Sequence, residues 1–506
     1  MTKKRIVIVG GGLGGLSAAI SLASQGHDVT VLEKNERIGG KCNIRSGEGY
    51  QFDTGPSILT MPWVLEALFN RAGRDVHDYM EIERVEPQWR TFFEDGVSID
   101  LKGDLPDMLD EIKKVAPDDA APFMNYLNYS AQMYELCMKS FYNKSISGLS
   151  ELRKLHSLRE LMAFDPMKTL NEGTERYIKD PHIKQFINFL VMYVGSSPYQ
   201  APAVLSQLAY VQFGLGNFYV KGGMYNIVRG MEQLLTELNV TIRTETPVKG
   251  IIQVDSVAKG VRLECGEEVH ADIVVSNLEA IPTYRQLLKE HPQHKTQAKK
   301  LEKFEPSVSG LVLLLGLKRE YPQLAHHNFF FSKDPEEEFK QIFEEKRPAD
   351  DPTVYIGISS KSDPSQAPEG KENHFVLTHV PPLKEGETWE KYKTSYRETV
   401  ISKLERNGLT TIRDDIEFEM TFTPDDLQSL YGANGGSIYG VVADKKKNGG
   451  FKIPSKSELI SQLYFVGGST HPGGGVPMVT LSGQLTADLI AEELTIQQKN
   501  SCAMTK

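Results

Sequence analysis

Cysteine is scarce in this sequence: four residues, Cys42, Cys137, Cys265 and Cys502, stand far apart among 506. They form no CxxC pair, which excludes a disulfide scaffold and a structural zinc ribbon. No metal site is expected, and a reducing cytoplasm fits such usage. No apolar run approaches the roughly 20 residues of a spanning helix. The richest stretch, Phe186 to Val194, reads FINFLVMYV. It suits a core helix; a surface segment dipping into one leaflet is the alternative. Lys3, Lys4 and Arg5 precede Ile6 to Val9, and glycines follow at once, too soon for a secretory signal core. A basic excess is also lacking. Lys and Arg number 57 against 67 Asp and Glu, a net charge of -10, which argues against nucleic acid as a partner.

What remains is the composition of a folded protein, 40% hydrophobic and 25% charged. The length suffices for roughly three domain-sized pieces. The first sixty residues carry the clearest pattern. Arg5 to Val9 is a β-branched run ending in Gly10-Gly11-Gly12-Leu13-Gly14-Gly15. GxGxxG falls on Gly10, Gly12 and Gly15. Leu16 to Gln25 suits a helix that Gly26 ends, and Asp28 to Glu33 is a second strand with an acidic end. Strand, glycine turn, helix and strand make a dinucleotide-binding βαβ unit. Gly10 permits the tight turn, Gly12 lets backbone approach the pyrophosphate, and Gly15 lets the helix pack on the sheet. The helix start offers unpaired N–H groups to phosphate. Glu33 stands where a carboxylate binds ribose, which disfavours a 2′-phosphate and so NADP.

After the acidic strand and Lys34 come Gly39-Gly40-Lys41, then Asp53-Thr54-Gly55-Pro56-Ser57. Here the sequence resembles the FAD-binding amine oxidase and phytoene desaturase superfamily. The resemblance implies FAD as cofactor and a paired-glycine turn with a basic residue. Lys41 replaces the arginine often found there, a point charge without the guanidinium fork. Near the other end, Leu463 to Ser469 reads as a strand entering a glycine turn. A loop follows from Thr470 to Pro477, then a helix from Thr480 to Glu493. In the family this loop lies beside the flavin ring, which implicates Gly467, Gly468, Gly475, Val476, Pro477 and Met478. Val248 matches the position whose backbone touches adenine. Asp53, His471 and Lys41 lie in flavin-adjacent motifs, where holding the structure or the cofactor is the expected role. No catalytic acid or base is identified.

The expected fold is α/β, a discontinuous Rossmann-type FAD-binding domain plus a mixed α+β substrate-binding domain. The first takes 1–84, 221–289 and 426–500; the second, 85–220 and 290–425, also docks on the membrane. Val240 to Arg243, Val248 to Ile252, Gly260 to Glu264, Glu268 to Ala271 and Ile273 to Ser276 read as strands, the last three continuing a meander. The block 85–220 reads as mostly helical, and 290–425 mixes the Leu311 to Leu317 strand with helices. His326 and His327, if adjacent on a strand, point to opposite faces. With no second GxGxxG unit, electrons must leave to an external acceptor such as dioxygen or a quinone. Twenty tyrosines and 22 phenylalanines against three tryptophans suit a long apolar tunnel, though core packing accounts for most.

Several segments bring the resemblance closer: GPSILTMP from Gly55, YVGSSPYQAPAVLS from Tyr193, QLAHHNFFF from Gln323 and IYGVVADKKK from Ile438. Together they are similar to bacterial carotenoid oxidases of the superfamily, and less to its carotenoid desaturases. The resemblance implies a thirty-carbon acyclic carotenoid as substrate, oxidised at a terminal methyl group. Such a hydrocarbon lives in the bilayer, which implies peripheral attachment to the inner face of the cell membrane. The alternatives are a desaturase of the thirty-carbon precursor 4,4'-diapophytoene, an apolar-ligand binding protein that has lost FAD, and an amine oxidase.

Overall fold

The computed structural model describes residues 3–504, with side chains to residue 500; the Cys502 side chain lies outside them. β1 (Arg5–Val9) is buried at four of its five positions, as β-branched residues covered on both faces should be. α1 (Leu13–Ser24) begins directly after Gly12, three residues before the expected start. Gly26, at φ +88°, turns the chain into β2 (Asp28–Leu32), which pairs with β1 in parallel. The full parallel sheet runs Leu463–Phe465, Ile273–Ser276, β1, β2, Thr241–Arg243. Three distant stretches of chain therefore build one sheet.

Two expectations need correction here. The meander consists only of Val248–Val254, Val257–Leu263 and Glu268–His270. Ile273–Ser276 is buried at every position, as a strand covered on both faces should be, and it lies beside β1 in the parallel sheet. The C-terminal helix spans Val476–Met504 rather than starting at Thr480. Pro477 falls in its first turn, where a missing N–H costs nothing.

A second sheet has seven strands in the order Ile416–Phe422, Ser309–Leu317, Glu372–Val380, Val354–Gly357, His327–Phe330, Trp89–Phe92, Ser98–Leu101. Only the His327–Phe330 and Trp89–Phe92 pair is parallel. The last two strands lie within the mostly helical 85–220 block, whose helices begin at Leu105. Leu311, Leu313 and Leu315 pack toward Val400, Ile401 and Leu404 of the Glu390–Arg406 helix. Val312 and Leu314 face the other way, into a core with Phe186, Phe189 and Phe329. Phe186 to Val194 is thus core: a helix from Pro181 to Phe189, capped by Asp180, then a tight turn. Phe186, Ile187 and Val191 are at most 1% exposed, which overturns the leaflet alternative. Among the described residues no helix is long and apolar enough to cross a membrane.

α1 and the C-terminal helix touch backbone to backbone. A Cβ at Gly483 would fall 2.5 Å from Ala18 N and 2.6 Å from Gly14 O, and Ser17 Oγ donates to Thr480 O at 2.5 Å. Gly483→Ala should therefore cost about 1–3 kcal/mol through overpacking. At Gly148 nothing lies within 4 Å of the added carbon, so Gly148→Ala should stay within about 0.5 kcal/mol. Denaturant unfolding of the two variants checks the contrast.

Candidate active site

Where β1 ends, three segments converge at the carboxyl ends of parallel strands, the place where open α/β sheets bind ligands. Gly10 makes the turn at φ +98° and its N–H donates to Leu32 O at 2.8 Å. A Cβ on Gly15 would fall 2.3 Å from Gly10 O, so α1 lies tight on the turn. Asn277 follows the Ile273–Ser276 strand, and its side chain lies along the glycines. A Cβ on Gly12 would meet Asn277 Nδ2 at 2.6 Å; one on Gly14 would meet Asn277 Oδ1 at 2.9 Å and Gly467 N at 3.0 Å. Gly12 begins α1 without any side-chain cap. The first-turn N–H groups and the positive end of the helix dipole are left for a ligand.

Glu33 closes one side. Its carboxylate is 5% exposed and accepts from Gly11 N at 2.8 Å and Asn35 N at 2.9 Å. Thr246 N donates to Glu33 O at 2.8 Å, which brings the Thr246–Val248 segment alongside. Gly39 N donates to Gly11 O at 2.7 Å, and Gly55 sits so close to Lys41 that a Cβ would fall 1.9 Å from its carbonyl oxygen. A cradle that admits no Cβ, an uncapped helix start and a buried carboxylate fit a dinucleotide with free ribose hydroxyls.

The charged residues of the motifs are largely engaged within the protein. Lys41 Nζ donates to Ser437 O at 2.7 Å and Ile438 O at 2.9 Å, with Glu279 Oε1 at 3.8 Å. Burial lowers the Lys41 pKa against the opposing pull of Glu279, whose own pKa burial raises. Lys34 Nζ donates to Ser429 O at 2.7 Å. Asp53 accepts from Met224 N at 3.0 Å and Tyr225 N at 3.2 Å, and burial raises its pKa to about 6. His471 is buried; its Nε2–H donates to Phe141 O at 2.8 Å and its ring stacks on Phe141. Burial lowers its pKa to about 4. Asp53 and His471 both stand outside the cavity wall, in positions that fix backbone.

One cavity of about 540 Å³ runs from this cradle into the seven-stranded sheet. Of the residues expected to hold the cofactor, all but Gly11 and Gly15 line it. Those two lie behind the turn. The far part is walled by Trp89, Phe189, Met192, Val312, Phe329, Phe375 and Leu377. Trp89 and Phe329 pack with centroids 4.2 Å apart. Tyr355 joins the two parts: its hydroxyl lies 2.8 Å from Ser57 Oγ and 2.8 Å from His327 Nδ1.

Sequence reasoning missed Asn277, Glu279 and Tyr355 as wall residues. Asn277 carried a signal, a polar residue closing an apolar strand of the βαβ type. Tyr355 carried none. The two histidines also need correction. His326 precedes the His327–Phe330 strand, so strand alternation does not separate them, and their rings lie 4.3 Å apart. His326 Nδ1 instead meets Ser362 Oγ at 2.6 Å. Among the described residues no group of three or more His, Cys, Asp and Glu is placed to hold a metal.

Comparison with known proteins adds the following. A family profile described as flavin containing amine oxidoreductase matches residues 13–491. The chain is 48% identical over 494 residues to 4,4'-diapolycopene oxygenase of Methylomonas sp, covering 97% of this chain and 99% of that one. It is 46% identical over 491 residues to 4,4'-diaponeurosporene oxygenase of Staphylococcus haemolyticus, covering 97% of each. Among solved structures, an oxidoreductase from Methanosarcina mazei superposes with a TM-score of 0.62 at 18% identity, covering 95% of this chain and 98% of that one. Cyclohexylamine oxidase from Brevibacterium oxydans gives 0.59 at 15%, covering 97% and 100%. These two likenesses concern the fold.

Glu33→Ala removes the acceptor of two backbone N–H groups, at about 1–3 kcal/mol each if left unpaired. The purified variant should retain about tenfold less flavin per chain than the parent, read from visible absorbance after desalting.

Proposed function

Because this chain belongs to the flavin containing amine oxidoreductase family, we propose that it uses FAD to oxidise the terminal methyl group of a thirty-carbon acyclic carotenoid to an aldehyde. The observation that carries this reading is the continuity of the cavity from a dinucleotide cradle to an aromatic and aliphatic chamber. Full-length relatives at 48% and 46% identity are named for oxygenation of 4,4'-diapolycopene and 4,4'-diaponeurosporene, which supports the substrate class. FAD, when bound, supplies the two-electron acceptor for the allylic methyl group. Segments 1–84, 221–289 and 426–500 hold it, while 85–220 and 290–425 hold the substrate.

The protein's own part is binding, orientation and exclusion of water. A polyene offers no charge to grip, so affinity comes from apolar area at roughly 25 cal/mol per Å². Trp89, Phe189, Phe329 and Phe375 supply rigid faces for it. Gly467, Gly468 and Gly475 to Met478, which line the cavity, would hold the ring end of the cofactor. The aldehyde needs two two-electron oxidations, through the alcohol, and an oxygen atom that enters from dioxygen or water. The electrons leave to an external acceptor, dioxygen or a quinone.

Substrate arrives from a bilayer, and a surface suited to one exists. Leu158 and Met162 are four apart on the Leu158–Ala163 helix, hence on one face. They are 78% and 60% exposed, and Met167 nearby is 77% exposed. Lys445 Nζ donates to Met167 O at 2.6 Å, which brings the Lys445 to Lys447 loop to the same patch. Phe164, at the end of that helix, packs edge-on against Phe141 of the cavity wall. The exposed apolar patch is thus two rings from the cavity.

Two measurements test these readings. In a pigment-free host making 4,4'-diaponeurosporene, extracts should gain oxygenated carotenoid by mass and absorption. In a parallel host, 4,4'-diapophytoene should stay unchanged; hydrogen loss there without oxygen gain would identify a desaturase instead. Replacing Leu158, Met162 and Met167 together by Glu should lower co-flotation with anionic vesicles about tenfold. Equal flotation of parent and variant would place the membrane contact elsewhere.

A further inference from the structure

The sheet wall of the cavity changes character along one strand. Phe375, Leu377 and His379 are spaced two apart on Glu372–Val380, so they share a face, and all three line the cavity. The first two are apolar, as a polyene wall requires. His379 is not. It is 7% exposed, its ring makes no hydrogen bond, and Nε2 is buried without a partner. Across the ladder stands Gly310, with no side chain to answer it. Its ring neighbours are Phe189 and Tyr439, with centroids at 6.2 and 6.4 Å. Tyr439, half-buried, also lines the cavity.

A buried polar group without a partner costs about 1–3 kcal/mol, and His379 Nε2 is such a group on the cavity wall. Burial lowers the His379 pKa to about 4, so the ring is neutral near pH 7. A neutral imidazole offers one N–H donor and one bare nitrogen, and the phenol offers both roles. A hydrocarbon polyene answers neither. A terminal hydroxyl group answers both, and an aldehyde oxygen accepts.

The backbone of Tyr439 touches the glycine loop at the cofactor end of the cavity. A Cβ on Gly474 would fall 2.4 Å from Tyr439 O, and one on Gly468 3.2 Å from it. These glycines belong to the loop expected beside the flavin ring. We propose that His379 and Tyr439 form a hydrogen-bonding site for the oxygenated end of the polyene, which retains the terminal alcohol for its second oxidation. The proposal rests on the carotenoid-oxidase reading above. Both are positioning residues, and the parent hydrocarbon enters the chamber without using them.

The test uses the flavin-loaded protein and its His379→Leu, His379→Gln and Tyr439→Phe variants, each checked for flavin content and Tm. Trp89, in the cavity wall, reports occupancy through fluorescence quenching by the polyene. The wild type should bind the terminal alcohol more tightly than the parent hydrocarbon. His379→Leu should weaken alcohol binding about fivefold relative to hydrocarbon binding, as expected for one neutral hydrogen bond. Products should shift from aldehyde toward alcohol in His379→Leu and in Tyr439→Phe, and His379→Gln should restore part of the difference. Equal wild-type affinities for alcohol and hydrocarbon would overturn the proposal. So would an unchanged alcohol-to-aldehyde ratio in flavin-replete His379→Leu and Tyr439→Phe. A wild type that yields no oxygenated carotenoid at all would instead overturn the oxidase reading on which this one stands.

Discussion

Backbone approaching backbone at the end of β1 is the constraint on which the rest of the molecule depends. Gly12 and Gly14 pass within contact of Asn277, and Gly14 within contact of Gly467. Those three segments come from the beginning, the middle and the end of the chain. A single methyl group at this junction would force apart α1, the Ile273–Ser276 strand and the turn after Leu463–Phe465. The cofactor cradle and the parallel sheet are therefore one feature. The glycines shape the space for phosphate and also let the sheet assemble.

From that junction the polar and apolar parts of the site follow in sequence along one cavity. At the cradle, charges are satisfied before any ligand arrives: Glu33 by two N–H groups, Lys41 by two carbonyls. This holds the walls in place and leaves the uncapped start of α1 to meet the phosphates. Beyond Tyr355 the wall becomes aromatic, and recognition shifts from directed hydrogen bonds to area. The two modes of binding adjoin without a partition, which is what contact between a redox cofactor and a hydrocarbon demands.

The sequence was most legible where chemistry needs a residue type at fixed spacing. Gly10, Gly12, Gly15 and Glu33 could be placed because a tight turn, a close approach and a carboxylate each admit few residues. Membership of sheets was harder. Ile273 to Ser276 and the meander strands look alike in composition, and it is pairing with β1 and Leu463–Phe465, together with burial on both faces, that sets the former in the parallel sheet. Tyr355 and Asn277 escaped notice because their roles arise from tertiary contact with segments far away in sequence. His326 and His327 misled because alternation applies only inside a strand, and the strand begins at His327. His471, expected to hold the structure or the cofactor, is buried and hydrogen-bonded to the Phe141 carbonyl.

The seating of the Val476–Met504 helix on α1 bears on when the protein can acquire its cofactor. The first strand and helix leave the ribosome early, yet the glycine loop and helix that close the cradle are made some 460 residues later. At roughly 5–20 residues per second, the nascent chain waits tens of seconds with its N-terminal βαβ unit short of a sheet neighbour and of the helix that covers it. The cradle can therefore close over its cofactor only after that loop and helix have emerged, and the exposed apolar face of α1 is a natural client for a chaperone during that interval.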